Sequence, residues 1–568
     1  MRDQSSRAGN LARLVTLLSL AVLFGCDAAD RSAFSSAPVI VRNPNPRAPL
    51  AAILSFTTRA PVSTVVRLSD GEHSWDIAFD ETDDPSAGLT LLGLRPARVH
   101  EVEVTVTDAG GNEETAAPLH YETPPLPTGL GDFAPLDVKV SQPELMEPGN
   151  MFLSVRRRFQ ARNQWVTPSQ RSYFTNWGLI VAVDNEGEVV WYYESDTRVA
   201  GINKLSNGNL QYHLTDFRTV ELDMLGNVVA EYYAGDRPEG PAEGGIPILG
   251  AQTLHHQPFE MPSGTFLAFS ANAREIEDYY TSDSDPDAPR ETQLVMGDSI
   301  IEFDSDGEIV WTWDAWNHLD PFRIGYDTLE PYWHVRGFPD HADWTHGNGL
   351  TYDASDDSVI INLKHQDALF KIDRATGEIV WILGEHTDWP ETLQSKLLTP
   401  VGDNFQWMYH GHNPRLTGRG TIVIYDNAAF QARPFDTPDP VGDTYSRTVE
   451  FEVDEEDMTV RQVWASHAKG DPDSCATPAM GDAHWLPETG NIFVVDSFCD
   501  YREEGLAWDS WDFGQRHWSE VAQWARIRQY RLDGEDTEIV FEMEVHEPAE
   551  ILQWRVFGGF HTPSLYQL

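Results

Sequence analysis

The sequence is poor in cysteine and in basic residues, and it has no hydrophobic run long enough to cross a membrane. Its 568 residues include three cysteines, and 40 Lys and Arg stand against 90 Asp and Glu, which gives a formal net charge of −50. Such a surface repels nucleic-acid phosphates and anionic lipid headgroups, which argues against both as partners. An anionic substrate would need a local cationic pocket to overcome the surrounding field.

The longest apolar run, residues 14–25, is shorter than the roughly 20 residues that a membrane-spanning helix requires. It follows three arginines and ends in LFGC, where Cys26 stands in the position of a lipidated cysteine. This pattern is typical of an exported bacterial lipoprotein, with plain secretion as the alternative. The prediction is therefore a lipoprotein-type signal peptide (1–25), lipidation of Cys26, a tether (26–37), and a periplasmic or cell-surface location with the membrane reached only through the anchor.

Two cysteines remain once Cys26 is assigned to lipidation. In an oxidising compartment, Cys475 and Cys499 are expected to form a disulfide, and two buried free thiols are the alternative.

Hydrophobic residues make up 41% of the chain, which includes 19 Trp, 18 Tyr and 26 Phe. This composition and length predict a globular protein with two structured domains. The first, residues 38–125, alternates polar and apolar residues with a period of two between turn sequences, which predicts a small β-sandwich. Its segment LLGLRPARVHEVEVTVTDAGGN resembles a fibronectin type III repeat.

An internal repeat follows the proline-rich connector ETPPLPTG. Six segments share an alternating strand, an Asp, a turn and a second strand, with Asp at 184, 223, 304, 373, 454 and 533. Each predicts a β-hairpin, and most are preceded by a further strand, as in SGTFLAFS and RGTIVIYD. Six such units predict an all-β fold in which residues 126–568 form a six-bladed β-propeller. Long insertions at 274–297 and 312–345 are expected to cover one face, and an eight-bladed propeller is the alternative.

Nitrogen-bearing side chains recur at matched positions before these strands. His256 lies nine residues before the Thr of GTFLAF, and His412 lies nine before the Thr of GTIVIY. His346 and Asn348 lie twelve and ten residues before the Ser of DSVIIN. In a rotationally repeating fold, equal offsets predict equal radii, so these groups should converge near the axis, with Lys364 beside them. Imidazoles serve as nucleophiles, acids or bases near neutral pH, and an ammonium stabilises an anionic oxygen.

Several motifs at these positions resemble the bacterial arylsulfate sulfotransferases. They are HHQPFEMPSGTFLAFS, DWTHGNGLTYDASDDSVIINLKHQDALFKIDRATGEIVWIL, HGHNPRLTGRGTIVIYDN and TYSRTVEFEVDEEDMTVRQVWAS, and they occur in the family's order between about residues 140 and 550. The resemblance implies a sulfuryl transfer from an aryl sulfate to a phenol by a ping-pong mechanism. It makes His412 the nucleophile that becomes a sulfohistidine, with His256, His346, Asn348 and Lys364 around the transferring group. Either His256 or His346 would be the acid and base.

The family requires no cofactor, neither a nucleotide sulfate donor nor a metal, and this chain carries no convincing phosphate-binding loop. Two positions depart from the family's pattern. Lys364 stands where the family has Arg, so a mobile point charge replaces a planar fork. Gly411 stands where the family has Gln before the covalent histidine.

Two other functions fit parts of the sequence. A metal-dependent, lactonase-like propeller hydrolase would use the imidazoles of His410 and His412, two residues apart on a predicted strand, or the adjacent His255 and His256. A surface-tethered binding propeller would use the abundant aromatics for stacking, although most of these fall at hairpin ends, where packing between strands explains them.

Overall fold

The computed structural model describes residues 32–159, 167–439, 444–500, 523–534, 536–547 and 551–566. The predicted signal peptide, Cys26 and residues 26–31 of the predicted tether lie outside the described residues. The remaining tether residues lie against the first domain, where the Phe34 ring is 5.3 Å from the Phe56 ring and Phe34 forms a β-bridge with Thr58.

The first domain is a two-sheet β-sandwich, as the alternating pattern predicts. One sheet has the order β1-β2-β5, and the other has the order β4-β3-β6-β7, with β8 also paired to β6. The apolar residues of β3 and β6 alternate strictly between buried and more exposed positions, so one face of the sheet packs on the core. The strands are β1 Val39–Arg42, β2 Ala52–Ser55, β3 Val62–Ser69, β4 Ser74–Phe79, β5 Leu89–Leu91, β6 Val99–Asp108, β7 Glu113–Thr115 and β8 Leu119–Glu122.

Beyond the sandwich, the described residues form further strands, two α-helices and three 3-10 turns. The first half comprises β9 Leu136–Ser141, β10 Asn150–Phe159, α1 Pro168–Thr175, β11 Gly178–Val183, β12 Val189–Ser195, β13 Val199–Lys204, β14 Leu210–Leu214, β15 Arg218–Leu222, β16 Val228–Ala234, β17 Ile246–Ile248, β18 His255–Glu260, β19 Phe266–Tyr279, β20 Glu291–Phe303 and β21 Ile309–Asp314. The second half comprises β22 His341–Asp343, β23 Gly347–Asp353, β24 Ser358–Leu363, β25 Ala368–Asp373, β26 Ile379–Gly384, α2 Glu391–Gln394, β27 Thr399–Val401, β28 His412–Leu416, β29 Ile422–Asp426, β30 Arg447–Asp454, β31 Thr459–Ala465, β32 Asp482–Trp485, β33 Ile492–Asp500, β34 Gln523–Asp533, β35 Asp536–Val545 and β36 Leu552–Thr562. The 3-10 turns are Ala315–Asn317, His334–Arg336 and Lys364–Gln366.

These strands form six antiparallel blades, which confirms the predicted six-bladed propeller. From the inside outwards the blades run β36-β10-β11-β12, β13 to β16, β18 to β21, β23 to β26, β28 to β31 and β32 to β35. Each of the six predicted hairpins is the outer strand pair of one blade. The innermost strands contact one another in the closed order β36, β13, β18, β23, β28, β32 and back to β36.

The ring is closed by strands from both ends of the propeller sequence. The C-terminal strand β36 is the innermost strand of the first blade. It pairs antiparallel with β10, with Thr562 opposite Asn150. The early strand β9 pairs with β35 at the outer edge of the last blade. This double closure protects the sheet edges and ties the first blade to the last.

The repeated Asp has a local structural role at the hairpin turns. In the first hairpin, Asp184 Oδ1 accepts hydrogen bonds from the backbone N–H groups of Glu186 and Glu188, and Gly187 has a φ of 81°. A β-bulge lies directly before the Asp, at Val183. An Asp side chain that caps the turn therefore explains why the motif recurs, and the positive φ of the turn explains the glycine of the first hairpin, whereas the fifth hairpin places Met458 in this conformation with a φ of 52°.

The sandwich packs against the first blade through ion pairs. Arg95 Nη2 lies 2.6 Å from Asp184 Oδ2, and its Nε lies 2.8 Å from Glu188 Oε2, so the sandwich contacts the turn of the first hairpin. Cys475 and Cys499 form the disulfide that the sequence predicts, with their Cα atoms 5.2 Å apart. Within the described ranges, the helices are too short or too polar to span a bilayer.

Candidate functional site

A cavity of about 770 Å³ opens at the end of the ring where the innermost strands begin. Its lining includes eight Arg or Lys residues and three Asp or Glu residues. This local excess of positive charge is the reverse of the chain as a whole, and it supplies the cationic pocket that an anionic substrate would need. The basic lining residues are Arg156, Arg157, Arg158, Arg171, Arg198, Arg336, Lys364 and Arg555.

Backbone irregularities direct histidines from three successive blades into this cavity. His256 lies in β18 and His346 directly precedes β23, with φ angles of 60° and 48°. His412 begins β28, and the next residue, Asn413, has a φ of 55°. Each of these strands carries a register shift near its start. Left-handed residues and bulges at equivalent places re-aim side chains from the sheet surface toward the axis.

The ring of His256 lies in contact with the rings of both His346 and His412. The His256 ring is 5.4 Å from the His346 ring and 5.7 Å from the His412 ring, measured between centroids. Two aromatic side chains flank the group: Phe557 of β36 lies 5.6 Å from His412, and Tyr332 lies 4.4 Å from His346. The structure therefore brings together the three histidines that the blade offsets single out.

His412 presents an unprotonated nitrogen to the cavity. Its Nδ1 atom lies 2.8 Å from the carbonyl oxygen of Gly481, which can only accept a hydrogen bond, so Nδ1 carries the proton. The Nε2 atom then has a free lone pair. Burial lowers the pKa of His412 from 6.5 to about 4, which keeps the ring neutral near pH 7.

His346 pairs with a buried carboxylate. Its Nδ1 donates to Asp343 Oδ2 at 2.5 Å, while Asp343 Oδ1 accepts from Trp333 Nε1 at 2.8 Å. Burial lowers the pKa of His346 well below its usual range and raises the pKa of Asp343. The carboxylate fixes the orientation of the ring and leaves Nε2 for the cavity.

His256 is linked to a carboxylate through a second imidazole. Its Nδ1 lies 2.8 Å from Nδ1 of His255, and His255 Nε2 lies 3.0 Å from Asp298 Oδ1. Asp298 in turn accepts from the Gly347 N–H at 2.6 Å, which joins neighbouring blades. Burial and the nearby imidazoles lower the pKa of His256, so this ring is also neutral near pH 7.

Asn348 supports the backbone directly before His412. Its Nδ2 donates to the carbonyl of Gly411 at 2.9 Å, and its Oδ1 accepts from Asn362 Nδ2 at 2.7 Å. One N–H of Asn348 is therefore committed to positioning, and the second remains for the cavity. At Gly411, an added Cβ would lie 3.0 Å from Ile424 Cδ1, so the site is closely packed around this departure from the family's pattern.

Lys364 lies in the cavity wall and has a counterion that the sequence does not reveal. Its Nζ atom is 3.1 Å from Asp327 Oδ2, and both residues line the cavity. Its positive charge helps to lower the pKa of His346 and of His412, which places the ammonium near both rings. The ammonium of Lys364 thus pairs with the Asp327 carboxylate and also acts electrostatically on the histidines.

At or beside the cavity, two sets of buried ligand-type residues lie close enough to hold a metal ion: Asp327, His365 and His410, and Asp343, His346 and His365. A third set, Cys475, Asp496 and Cys499, contains the disulfide. In the first set, the Lys364 ammonium already occupies the Asp327 carboxylate. His410 has a φ of 56°, lies outside the cavity lining, and contacts Asp367 at 3.0 Å, so residues 410–412 do not form an extended pair of ligands. Neither of these two sets is well suited to a bound metal cation, because the cavity beside them carries an excess of positive charge.

Several residues of the cavity were not predicted from the sequence. Tyr332, Arg336, Asp327 and Asp343 come from the predicted insertion at 312–345, which has no counterpart in other blades. The run RRR at 156–158, in a chain so poor in basic residues, was a visible signal for a cationic site.

Comparison with known protein families shows to which family the chain belongs. The sequence profile described as "Arylsulfotransferase (ASST)" matches residues 155–555, and the profile "Arylsulfotransferase Ig-like domain" matches residues 39–124. The chain belongs to the arylsulfotransferase family. The second match falls on the observed β-sandwich, and the first spans most of the propeller and every residue of the cavity lining except Phe557.

Two relatives named "Arylsulfate sulfotransferase AssT" are similar to this chain. One, from Escherichia coli O6:H1, is 29% identical over 336 residues, and one from Lelliottia amnigena is 27% identical over 338 residues. Each alignment covers 50% of this chain and 51% of the relative, so the chain spans about half the length of the curated relatives it matches.

Solved structures resemble it only distantly. A protein of unknown function from Bacteroides caccae gives a TM-score of 0.35 at 10% identity, covering 72% of this chain and 98% of that one. A Synechocystis apocarotenoid oxygenase gives 0.32 at 11% identity, with coverage of 76% and 96%.

Proposed function

We propose that the protein is an arylsulfate sulfotransferase that moves a sulfuryl group from an aryl sulfate to a phenol through a covalent histidine. The observation that carries this proposal is the group formed by His256, His346 and His412, whose nucleophile candidate has its proton held on Nδ1. The family membership and the cationic cavity support it.

In the first half-reaction, Nε2 of His412 attacks the sulfur of the donor. The new bond is N–S, and the S–O bond to the aryl group breaks with its electron pair on the aryl oxygen. The sulfuryl oxygens gain charge in this transition state and need fixed donors. Lys364 and the second N–H of Asn348 are the groups near His412 that supply them.

We assign the proton transfers to His346. A bound sulfate anion raises the pKa of the imidazoles that face it, and of the three histidines only His346 has a carboxylate directly on its far nitrogen, which stabilises the imidazolium. It gives a proton to the departing aryl oxygen. In the second half-reaction it takes the proton of the acceptor phenol, whose oxygen attacks sulfur while the N–S electron pair returns to His412.

The test is transfer from 4-nitrophenyl sulfate to phenol, combined with intact-mass measurement. Donor added without acceptor should give a mass increase of one sulfuryl group on the wild type, because covalent catalysis separates the two steps. The adduct should be absent in His412→Ala and should disappear when phenol is added. Turnover that is abolished by a chelator, without any adduct, would instead support the metal-dependent hydrolase. A protein that binds aryl ligands without turnover would support the binding propeller.

We further propose that the protein is exported and tethered through Cys26, with residues 38–125 as a spacer domain and residues 126–568 as the catalytic domain. The disulfide between Cys475 and Cys499 supports an oxidising compartment. Metabolic labelling with a fatty acid, lost in Cys26→Ser, tests the anchor.

A further inference from the structure

Three arginines form a second group in the cavity, separated from the histidines by aromatic rings. The Arg156 guanidinium lies 4.6 Å from the centre of the Phe557 ring, and the Arg336 guanidinium lies 3.7 Å from the centre of the Tyr332 ring. Phe557 and Tyr332 are the rings that contact His412 and His346. Arg156 and Arg336 therefore each contact an aromatic ring that in turn contacts one of the imidazoles, whereas Arg198 lies 5.6 Å from the centre of the Phe174 ring.

Arg198 joins this group through the backbone. Arg156 Nε donates to the carbonyl oxygen of Val199 at 2.5 Å, so the Arg156 side chain is fixed next to the segment that carries Arg198. The three residues come from β10, the start of β13 and the 3-10 turn 334–336, and all of them line the cavity.

These arginines carry positive charge without carboxylate partners in the part of the chain that the structure describes. Arg156 binds a backbone carbonyl and the sulfur of Met480, and Arg336 donates to the carbonyl of Tyr332. The guanidinium of Arg198 has no hydrogen-bond or ion-pair partner among the described residues, and its Nε is buried. An arginine stays protonated in a protein, so this charge is unbalanced in the free cavity.

Repulsion between positive charges adds to the effect of burial on these guanidinium groups. Burial, with the neighbouring positive charges of Arg158, Arg336 and Arg171, lowers the pKa of Arg198 to about 9. Burial, Arg198 and Arg336 together lower the pKa of Arg156. In a chain with 90 acidic residues, leaving these cations unpaired inside a cavity is costly unless an anion occupies the space between them.

We propose that Arg156, Arg198 and Arg336 form a second anion subsite, which binds an oxyanion carried by the aryl substrate on the far side of its ring from the transferring group. The preferred substrates are then phenols and aryl sulfates with a carboxylate or a sulfonate substituent. This inference rests on the proposed function. The arrangement also separates two roles. Lys364 and Asn348 donate hydrogen bonds to the sulfuryl oxygens, whereas the arginines bind the charged substituent on the aryl ring and so determine which substrates are preferred.

The experiment compares charged and uncharged acceptors with 4-nitrophenyl sulfate as donor. The acceptors are 4-hydroxybenzoate, 4-hydroxybenzenesulfonate and methyl 4-hydroxybenzoate. In the wild type the ratio of kcat/KM for acid over ester should be at least about tenfold higher than in Arg198→Gln, because one charge-assisted contact is lost. The comparison between variants cancels the intrinsic reactivity of each phenol. The measurement with 4-hydroxybenzenesulfonate shows whether the subsite distinguishes a sulfonate from a carboxylate.

The control is Arg461→Gln, which removes an exposed arginine whose nearest carboxylate is Glu452 at 3.7 Å, and it should leave the ratio unchanged. Arg198→Lys keeps the charge and should recover part of the preference, and the ratio should fall with added salt. An equal loss of kcat/KM for acid and ester in Arg198→Gln and Arg336→Gln would overturn the proposal, since the arginines would then serve the transferring group. If no donor is turned over, the proposed function fails, and calorimetric binding of 4-hydroxybenzoate against its methyl ester decides the subsite independently.

Discussion

The Nδ1 atom of His412 lies 2.8 Å from the carbonyl oxygen of Gly481, the residue directly before the first strand of the next blade. One backbone group therefore fixes both the tautomer and the orientation of the ring. A carbonyl on the adjacent blade can do this only when the fifth and sixth blades are packed together, so the reactivity of His412 depends on the contact between β28 and β32. The nucleophile is held by the architecture rather than by a charged partner.

The substitution His412→Ala should abolish transfer from 4-nitrophenyl sulfate, with a loss in kcat of at least about 10³-fold, because no other group in the cavity replaces the attacking nitrogen. Release of 4-nitrophenol is the measurement. His120→Ala, which removes an exposed imidazole from the sandwich, is the matched control and should retain full activity. Residual turnover in His412→Ala comparable to that of the control would assign the nucleophile elsewhere.

Much of the fold could be predicted because it repeats. The Asp-and-turn motif marks every blade, and equal offsets from the following strand locate His256 and His412. The partners of these residues could not be predicted in the same way. Asp327 and Asp343 come from an insertion that no other blade shares. Asp327 meets Lys364, 37 residues away, only in the fold, and although Asp343 lies three residues before His346, no repeat marks it as the partner of that ring. The arginine group escaped for the same reason, since its members are distant in sequence and follow no repeat.

The rate of the donor half-reaction should depend on pH with a midpoint near 4 on the acid side. Burial lowers the pKa of His412 to about 4, and the neutral ring is the nucleophile, so kcat/KM should be flat from about pH 7 to pH 5 and fall as the ring is protonated. The donor is 4-nitrophenyl sulfate, whose leaving group needs little protonation, and product is quantified after quenching in alkali.

The same shift affects stability, and this has to be separated from catalysis. The unfolded chain protonates this histidine near its ordinary pKa of 6.5, so it binds more protons than the folded chain between pH 6.5 and 4. The free energy of unfolding should therefore fall as the pH is lowered from 6.5 to 4. Circular dichroism at each pH identifies where the fold is intact. A rate that falls with a midpoint near 6.5 in intact protein would contradict the neutral, buried nucleophile.

Lys364 should be required for donor turnover even though Asp327 shares its charge. Lys364→Met should lower kcat/KM by about 10²-fold to 10³-fold, the usual effect of removing one donor to a developing oxyanion. Lys364→Arg, which restores the family's residue, should retain most of the activity. Asp327→Asn should lower the KM for the donor, because it frees the ammonium from a carboxylate 3.1 Å away. Unchanged kinetics in Lys364→Met would restrict this residue to a structural ion pair.

The substitution Asp343→Asn should impair proton transfer while leaving the nucleophile in place. The amide cannot hold the Nδ1 proton of His346 as the carboxylate does, and it removes the charge that stabilises the imidazolium. The loss in kcat/KM should be about 10² to 10⁴ for phenyl sulfate and much smaller for 4-nitrophenyl sulfate, whose leaving group needs less help. Asp471→Asn is the matched control, since it alters a carboxylate 3.4 Å from His467 outside the cavity. An equal loss for both donors would show that Asp343 supports the cavity wall and that His346 is not the acid. In that case His256 would be the remaining acid, with the charge of Asp298 beyond His255 to stabilise its imidazolium, and Asp298→Asn should then show the dependence on the leaving group that Asp343→Asn lacks.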